Sequence, residues 1–337
     1  MQPKGKALLI SKNNCFMRTF VISILSTLAG GMLSAQQNPQ WESEMIAFEQ
    51  DDQEQVIMGA DPIVSGVWNN LPQPQFWRQI MLLSPDSVLV NIASNRKVVA
   101  KMSNRMWQAQ NDTQKALFKD SVRRSLGLPE GERIMVTTGK NDFYRFDLVF
   151  ESLPKGVACF NEYGVDPWYA QSILLIESPG QLKKSTAGAY GPFQLMPAVA
   201  RSMGLTVNKT VDERKDFKRS AYGASQLLKR ICIPSARTIA TNAGLVVDEQ
   251  SIWFRLLVMH VYHAGSLNVK AVVEEIGTVK DGDELIQKMW ITTAASFGNS
   301  SQNYSQLALA AHIQLDQLLT VKNCDVYHCT QFASEEE

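Results

Sequence analysis

From about residue 155 onward, apolar positions recur at intervals of three and four, the spacing that lines one face of a helix, and capping or breaking residues cut the pattern into lengths. Ala170, Ile173, Leu174 and Glu177 share one such face. Asp166 stands where an N-cap belongs, Pro167 at the first helical position, and Pro179-Gly180 where the helix must stop. Pro197 opens a short helix stopped at Gly204, and Asp216 caps a helix through Leu227, Leu228 and Ile231 that Pro234 ends. Asp248 caps Ile252 to Val261, Gly265 closes that helix, and Ser266 caps another carrying Val269, Val272, Val273 and Ile276. Asn303 to Leu319 forms the last. This half has no strand alternation, internal repeat or glycine-rich phosphate loop, so the pattern predicts a mainly α fold with a compact helical domain.

The front of the chain reads differently. Arg18 precedes an apolar run from Val21 to Leu33, and Leu33-Ser34-Ala35 before Gln36 fits small-residue cleavage, so residues 1–35 read as a signal peptide, with Met17 as the true start. The run is short for a membrane span, which needs roughly 20 residues. Cys15 lies before it and is not placed as a lipoprotein cysteine. Residues 36–61 are rich in Gln, Glu and Asp and read as a polar linker without a packed core. Residues 62–154 read as an N-terminal helical extension, with helical patterns around Val88 to Trp107 and Thr113 to Leu126 and a break at 127–131. The extension either shapes one end of a groove or is a plain structural layer. Residues 155–322 form the main domain and 323–337 a tail.

Composition narrows the partners. With 33 basic and 33 acidic residues the chain carries no electrostatic footprint for nucleic acid or an anionic membrane, and 45% apolar residues suffice for a core. Without the leader, Cys159, Cys232, Cys324 and Cys329 remain. An even number in an exported chain permits disulfides: Cys324 with Cys329 is the local pairing and leaves Cys159 with Cys232, free buried thiols being the alternative. His260 and His263 are three apart on a helix, and Cys324, His328 and Cys329 cluster near the tail, but no carboxylate at metal-ligand spacing accompanies the histidines and no metal is expected. Trp253 and Trp290 sit among apolar residues and read as core.

The residue with chemistry is Glu177. A carboxyl group on an apolar helix face loses solvation, and at the C-terminal end it also meets the negative end of the helix dipole. Both effects favour the protonated form, which can give a proton to a leaving oxygen, as glycoside cleavage demands.

Glu177-Ser178, then Ser185-x-x-Gly188-Ala189-x-Gly191, then Gln194-Leu195-Met196-Pro197 resemble the signature of the SLT-type lytic transglycosylases, relatives of goose-type lysozyme. Tyr262-His263-Ala264-Gly265 is similar to that family's Tyr-Asn-Ala-Gly motif. Val211-Asp212-Glu213-Arg214-x-Asp216, with Ser220, Leu227 and Leu228, resembles the membrane-bound lytic transglycosylase D subgroup. The likeness runs from about Gly156 to Ala311 and implies a lysozyme-like helical catalytic domain. It implies that Glu177 is the catalytic acid and base, that Ser185, Gln194, Met196 and Tyr262 line the saccharide cleft, and that Tyr304 joins them. Ser178, Gly188, Ala189 and Gly191 would support the loop. This chain departs from the family in reading Gly191-Pro192-Phe193-Gln194 for Gly-Leu-Met-Gln and His263 for the asparagine, and it is a residue shorter than many members between Glu177 and Ser185.

The implied activity is cleavage of the MurNAc-GlcNAc β-1,4 bond of peptidoglycan strands with formation of 1,6-anhydro ends, without a cofactor, by an exported monomer of the periplasm or cell envelope with weak envelope association. No obvious second acid stands in these blocks, which fits assistance by the substrate's own N-acetyl group. Two alternatives stay open: a goose-lysozyme-like hydrolase using Asp212 or Glu213 to position water, and a non-catalytic peptidoglycan-binding protein.

Overall fold

The segment that reads as a polar linker is built into the fold. Met45–Gln50 (β1) and Gln53–Met58 (β2) form an antiparallel hairpin with Met45 opposite Met58, in a computed structural model that describes residues 40–50, 53–179 and 184–332. The polar composition that suggested a linker belongs to the far end of the hairpin, whereas Ile57 and Met58 at its base are buried in the main core. The expected leader, the start at Met17, and the side chains of Cys324 and Cys329 lie outside the described residues.

After α1 (Asp61–Ser65) and α2 (Pro72–Leu82) comes a second departure from expectation. The stretch around Val88 to Trp107 is not a helix but strands β3 (Ser87–Ile92) and β4 (Val98–Ser103) followed by the short α3 (Asn104–Gln108). From Val88 to Ile92 every residue is buried, Asn91 included, so the stretch carries no alternation by which to tell strand from helix. Helix α4 (Asp112–Ser125), capped by the reciprocal bonds of Asn111 and Gln114, leads to β5 (Ile134–Thr138), which completes an antiparallel sheet of order β4-β3-β5. Val90, Ile92 and Ile134 form a small core of their own, with Phe118 and Val122 of α4 packed on it.

The rest is helical: α5 (Phe146–Val149), α6 (Leu153–Glu162), α7 (Pro167–Glu177), α8 (Pro197–Ser202), α9 (Phe217–Leu227), α10 (Ile233–Asn242), α11 (Ile252–Ala264), α12 (Ser266–Ile276), α13 (Gly282–Met289) and α14 (Asn299–Phe332). Pro234 does not end a helix. A π turn over Leu228–Cys232 follows α9 and passes directly into α10, with Pro234 just after the widened turn, so the helical path continues through the proline. Ser251, not Asp248, occupies the N-cap position of α11; Asp248 forms the turn before it, accepting from the Gln250 N–H. Helix α14 begins before Asn303 and runs past Leu319 through most of the expected tail, and α13, capped by Asp281, had no counterpart in the sequence reading.

Helix α7 is the axis of the molecule. Every residue from Pro167 to Ile176 is buried, as a helix surrounded by others must be, and α5, α6, α14 and β2 pack around it. Gln171, Ser172 and the capping Asp166 are hydrogen-bonded within this core. The Gln171 amide donates to Met58 O (2.8 Å) and accepts from Met58 N (2.9 Å), and Ser172 Oγ lies 2.8 Å from His312 Nε2 on α14. Asp166 caps the helix as expected, accepting from Trp168 N at 2.9 Å, and also accepts from the fully buried Arg255 of α11 at 2.7 Å. Arg255 donates in turn to both carboxylate oxygens of Glu44 at 2.7 and 3.2 Å. The residue that leads into the hairpin, the start of α7 and α11 thus meet in one ion triad. All described elements fall within a single unit, Pro39–Glu337.

Cys159 and Cys232 are free and buried, so the pairing between them expected as one option is not made. Each sits in the apolar core as a small hydrophobe, and burial pushes the Cys232 thiol up to about 12.

Candidate active site

Helix α7 ends where its sequence requires. Glu177 is its last residue, Pro179 follows, and Ser178 turns the chain while its hydroxyl donates to Pro192 O at 2.9 Å. That bond ties the end of α7 to the loop that carries the predicted sugar-binding residues. Within the loop, Tyr190 and Leu195 pair as a short antiparallel bridge. Gly188 and Gly191 hold φ of 95° and 86°, and Gln194 itself has φ 46° with its amide donating to Gly191 O at 3.0 Å. A Cβ on Gly191 would stand 1.9 Å from Arg214 O, so glycine is required by space as well as by dihedral. Ser185 closes the first turn, its hydroxyl accepting from Ala189 N at 2.9 Å. Phe193, the departure from the usual motif, is fully buried and stacks on Phe160 of α6 at 5.4 Å.

Arg214 locks the loop from behind. Its buried guanidinium donates to Gly188 O and Leu195 O, both at 2.9 Å, and binds the Asp212 carboxylate through Nε (2.8 Å) and Nη2 (2.7 Å). Glu213 is held by Arg219. Both acids that could have served a hydrolase are therefore ion-paired, and their partners hold each carboxyl below its usual range.

Glu177 meets different company. Tyr304 of α14 donates its phenol hydrogen to Glu177 Oε1 at 2.9 Å. The carboxyl is half-buried, and loss of hydration raises its pKa against the opposing pull of the Tyr304 bond. Tyr262 of α11 donates to Phe193 O at 2.6 Å, so it braces the loop from the opposite wall. Burial lifts the phenols of Tyr262, Tyr304 and Tyr144 well above the usual tyrosine range, and the nearby Glu177 charge adds to each. His263 stacks on Tyr304 with ring centroids 4.2 Å apart. Met196 is 40% exposed at the loop's outer end.

Residues 159–281 match the family model described as the transglycosylase SLT domain. This part of the chain is an SLT domain. No curated protein matches the chain.

The SLT domain span holds Glu177, the loop from Ser185 to Met196, and Tyr262, and the fold ties both Ser178, next to Glu177, and Tyr262 to that loop. Tyr304 lies beyond it on α14 and reaches back to Glu177. Tyr144 comes from the other side, out of the extension in which the sequence showed no functional motif. There Arg145 N also donates to Pro179 O at 3.3 Å, seating this strand-to-helix loop against the end of α7. The pattern-based reading missed Tyr144 and the stacking role of His263. The only signal for the first was a Phe-Tyr-Arg-Phe run between β5 and α5, which is as much a core signature as a site.

Proposed function

We propose that the protein is an exported peptidoglycan lytic transglycosylase, similar in pattern to the membrane-bound D subgroup, that cleaves the MurNAc-GlcNAc β-1,4 bond and leaves 1,6-anhydro-MurNAc ends. The observation that carries this reading is Glu177: a half-buried carboxyl, kept toward its protonated form by burial and hydrogen-bonded to Tyr304, at the foot of a loop locked in place by Arg214. The SLT domain assignment supports the same substrate class.

In this mechanism Glu177 gives its proton to the departing glycosidic oxygen while the N-acetyl group of the muramic unit stabilises the cationic sugar carbon. The resulting carboxylate then takes the proton from the C6 hydroxyl of that sugar, and O6 closes on C1. The proton returns to Glu177, one C–O bond is exchanged for another, and water is not consumed. An intramolecular hydroxyl has an advantage of several kcal/mol over water when well placed. Tyr304 steadies the carboxylate stage by donating to it. Ser185, Gln194, Met196 and Tyr262 line the saccharide path, Gln194 offering an amide donor and acceptor to an N-acetyl group. The hydrolase reading is disfavoured by the ion pairs that occupy Asp212 and Glu213.

The test is mass spectrometry of the soluble products released from purified peptidoglycan by the protein and by Glu177→Gln. Anhydro ends from the first and none from the second are expected, with substrate binding retained by the variant. Reducing ends carrying an added water identify a hydrolase, and binding without release identifies a recognition protein.

A further inference from the structure

Between the sheet of the N-terminal extension and the start of α14 lies a cavity of about 180 Å³. Ser94 and Arg96 reach it from the β3–β4 turn, Glu132 and Arg133 from the approach to β5, and Asn299 and Gln302 from α14. Arg96 occupies a backbone conformation, φ 59°, that suits glycine or asparagine, so the turn uses arginine for its side chain. That side chain is 5% exposed. Its guanidinium donates to Asn91 Oδ1 at 3.3 Å and to Asn303 Oδ1, and rests over the rings of Phe76 and Trp77 at 5.5 and 5.6 Å. All four partners are neutral. Among the described residues no carboxylate forms an ion pair with Arg96 or Arg133. Burial and the Arg133 charge bring Arg96 down to about 10, the mark of a cation held where its charge is uncompensated. Glu132 lines the same cavity, but its carboxylate accepts from Ser94 N (3.2 Å) and Ser94 Oγ (2.8 Å). The wall thus presents two cations, one of them exposed, and one acid already hydrogen-bonded.

We propose that this cavity binds a carboxylate of the peptide borne by the glycan strand, with Arg96 and Arg133 as its cationic partners, and that supplying this subsite is the role of the N-terminal sheet. The inference rests on the peptidoglycan reading above and extends it to peptide-bearing strands. The spacing agrees. Asn303 holds Arg96 and its neighbour Tyr304 holds Glu177, and Asn299 is about 7.5 Å up the same helix from Tyr304 at 1.5 Å per residue. An extended peptide of three to five residues spans roughly 10 to 17 Å, more than that offset along the helix axis.

The test is calorimetric titration of the purified protein with a soluble peptidoglycan stem peptide, with the same peptide bearing carboxamides in place of its carboxylates, and with inorganic phosphate. Arg133 is exposed, so Arg133→Ala removes a charge without opening the core. The acid peptide is expected to bind, and both Arg133→Ala and the carboxamide form to weaken binding by roughly three- to tenfold, the loss typical of one partly solvated charge contact. Equal affinity of the variant, or of the carboxamide, overturns the proposal. Phosphate binding as tightly as the peptide overturns the peptide assignment. Product analysis on whole peptidoglycan is read separately: absence of anhydro ends with the unaltered protein sinks the transglycosylase reading, whereas the peptide titration needs no turnover and stands or falls alone.

Discussion

Two opposing effects meet on the Glu177 carboxyl, and their balance is open to measurement. Burial favours the protonated acid, and the Tyr304 phenol favours the carboxylate. Tyr304→Phe removes the donor, so the pKa of Glu177 moves further up. Because the first step needs the proton, the alkaline limb of kcat/KM moves to higher pH, while the rate at the optimum falls because the carboxylate stage loses its support. A limb that stays in place or moves to lower pH would show that Tyr304 does not act on Glu177. Glu177 itself was legible in the sequence, because cap, proline and apolar face together locate a helix end, and the ordered glycine- and glutamine-bearing motif that follows singles out the carboxyl there. Tyr144 was not legible. Its relation to Glu177 is made by the loop before α5 closing on the end of α7, a contact between segments with no local pattern in common.

The loop from Ser185 to Met196 is an element without regular structure that is nonetheless tightly determined. Its shape is set by two glycines in left-handed conformations and by four hydrogen bonds from Arg214, two into the loop and two to Asp212. Gly191→Ala forces both a disfavoured φ and a Cβ into Arg214 O. A loss of more than about 1 kcal/mol of stability is expected, with KM raised as the loop shifts away from Ser178; an unchanged denaturation midpoint together with unchanged KM would refute that account of the loop. The glycines were visible as motif positions, but the residue that makes Gly191 obligatory, Arg214, was read only as part of a block resembling the D subgroup. Its bonds into the loop were not legible, because they join residues some twenty positions apart in sequence.

Across the molecule, the hairpin and the helical body are held by charges taken out of water. Arg255 is fully buried between Asp166 and Glu44, so removing one partner leaves a cation short of compensation. Glu44→Gln should cost about 2 kcal/mol, less than for an isolated buried pair because Asp166 remains; urea unfolding of the variant checks it, and a cost near zero would mean that the hairpin is not anchored by this triad. Acid is a second lever. His260 and His312 are buried as neutral imidazoles with pKa held down to about 3 from an ordinary 6.5. Each takes up a proton on unfolding below pH 6.5 but not in the folded state, so stability falls as pH drops through this window and the loss is complete near pH 3. Between pH 6.5 and 5 the two together should remove about 3 kcal/mol. A urea midpoint that holds steady or rises between those pH values contradicts the burial of both rings.

The sequence alone determined the helical body, the boundaries of α7, the identity of Glu177 and the glycine-bearing loop after it, because these rest on local spacing: periodicity, caps, breakers and a short ordered motif act within a few residues. It misassigned the hairpin and the β3–β4 strands, since a polar stretch with a buried base and an apolar run buried on both faces carry no local sign of their partners. Tertiary structure alone decided that α14 brings Tyr304 onto the Glu177 carboxyl, that the loop before α5 is seated against the end of α7, that Arg255 binds helix cap to the base of the hairpin, and that Arg96 faces Asn303. Each of these is a contact between distant segments, where burial strips away water and makes a single hydrogen bond or charge count for far more than it does along an exposed chain.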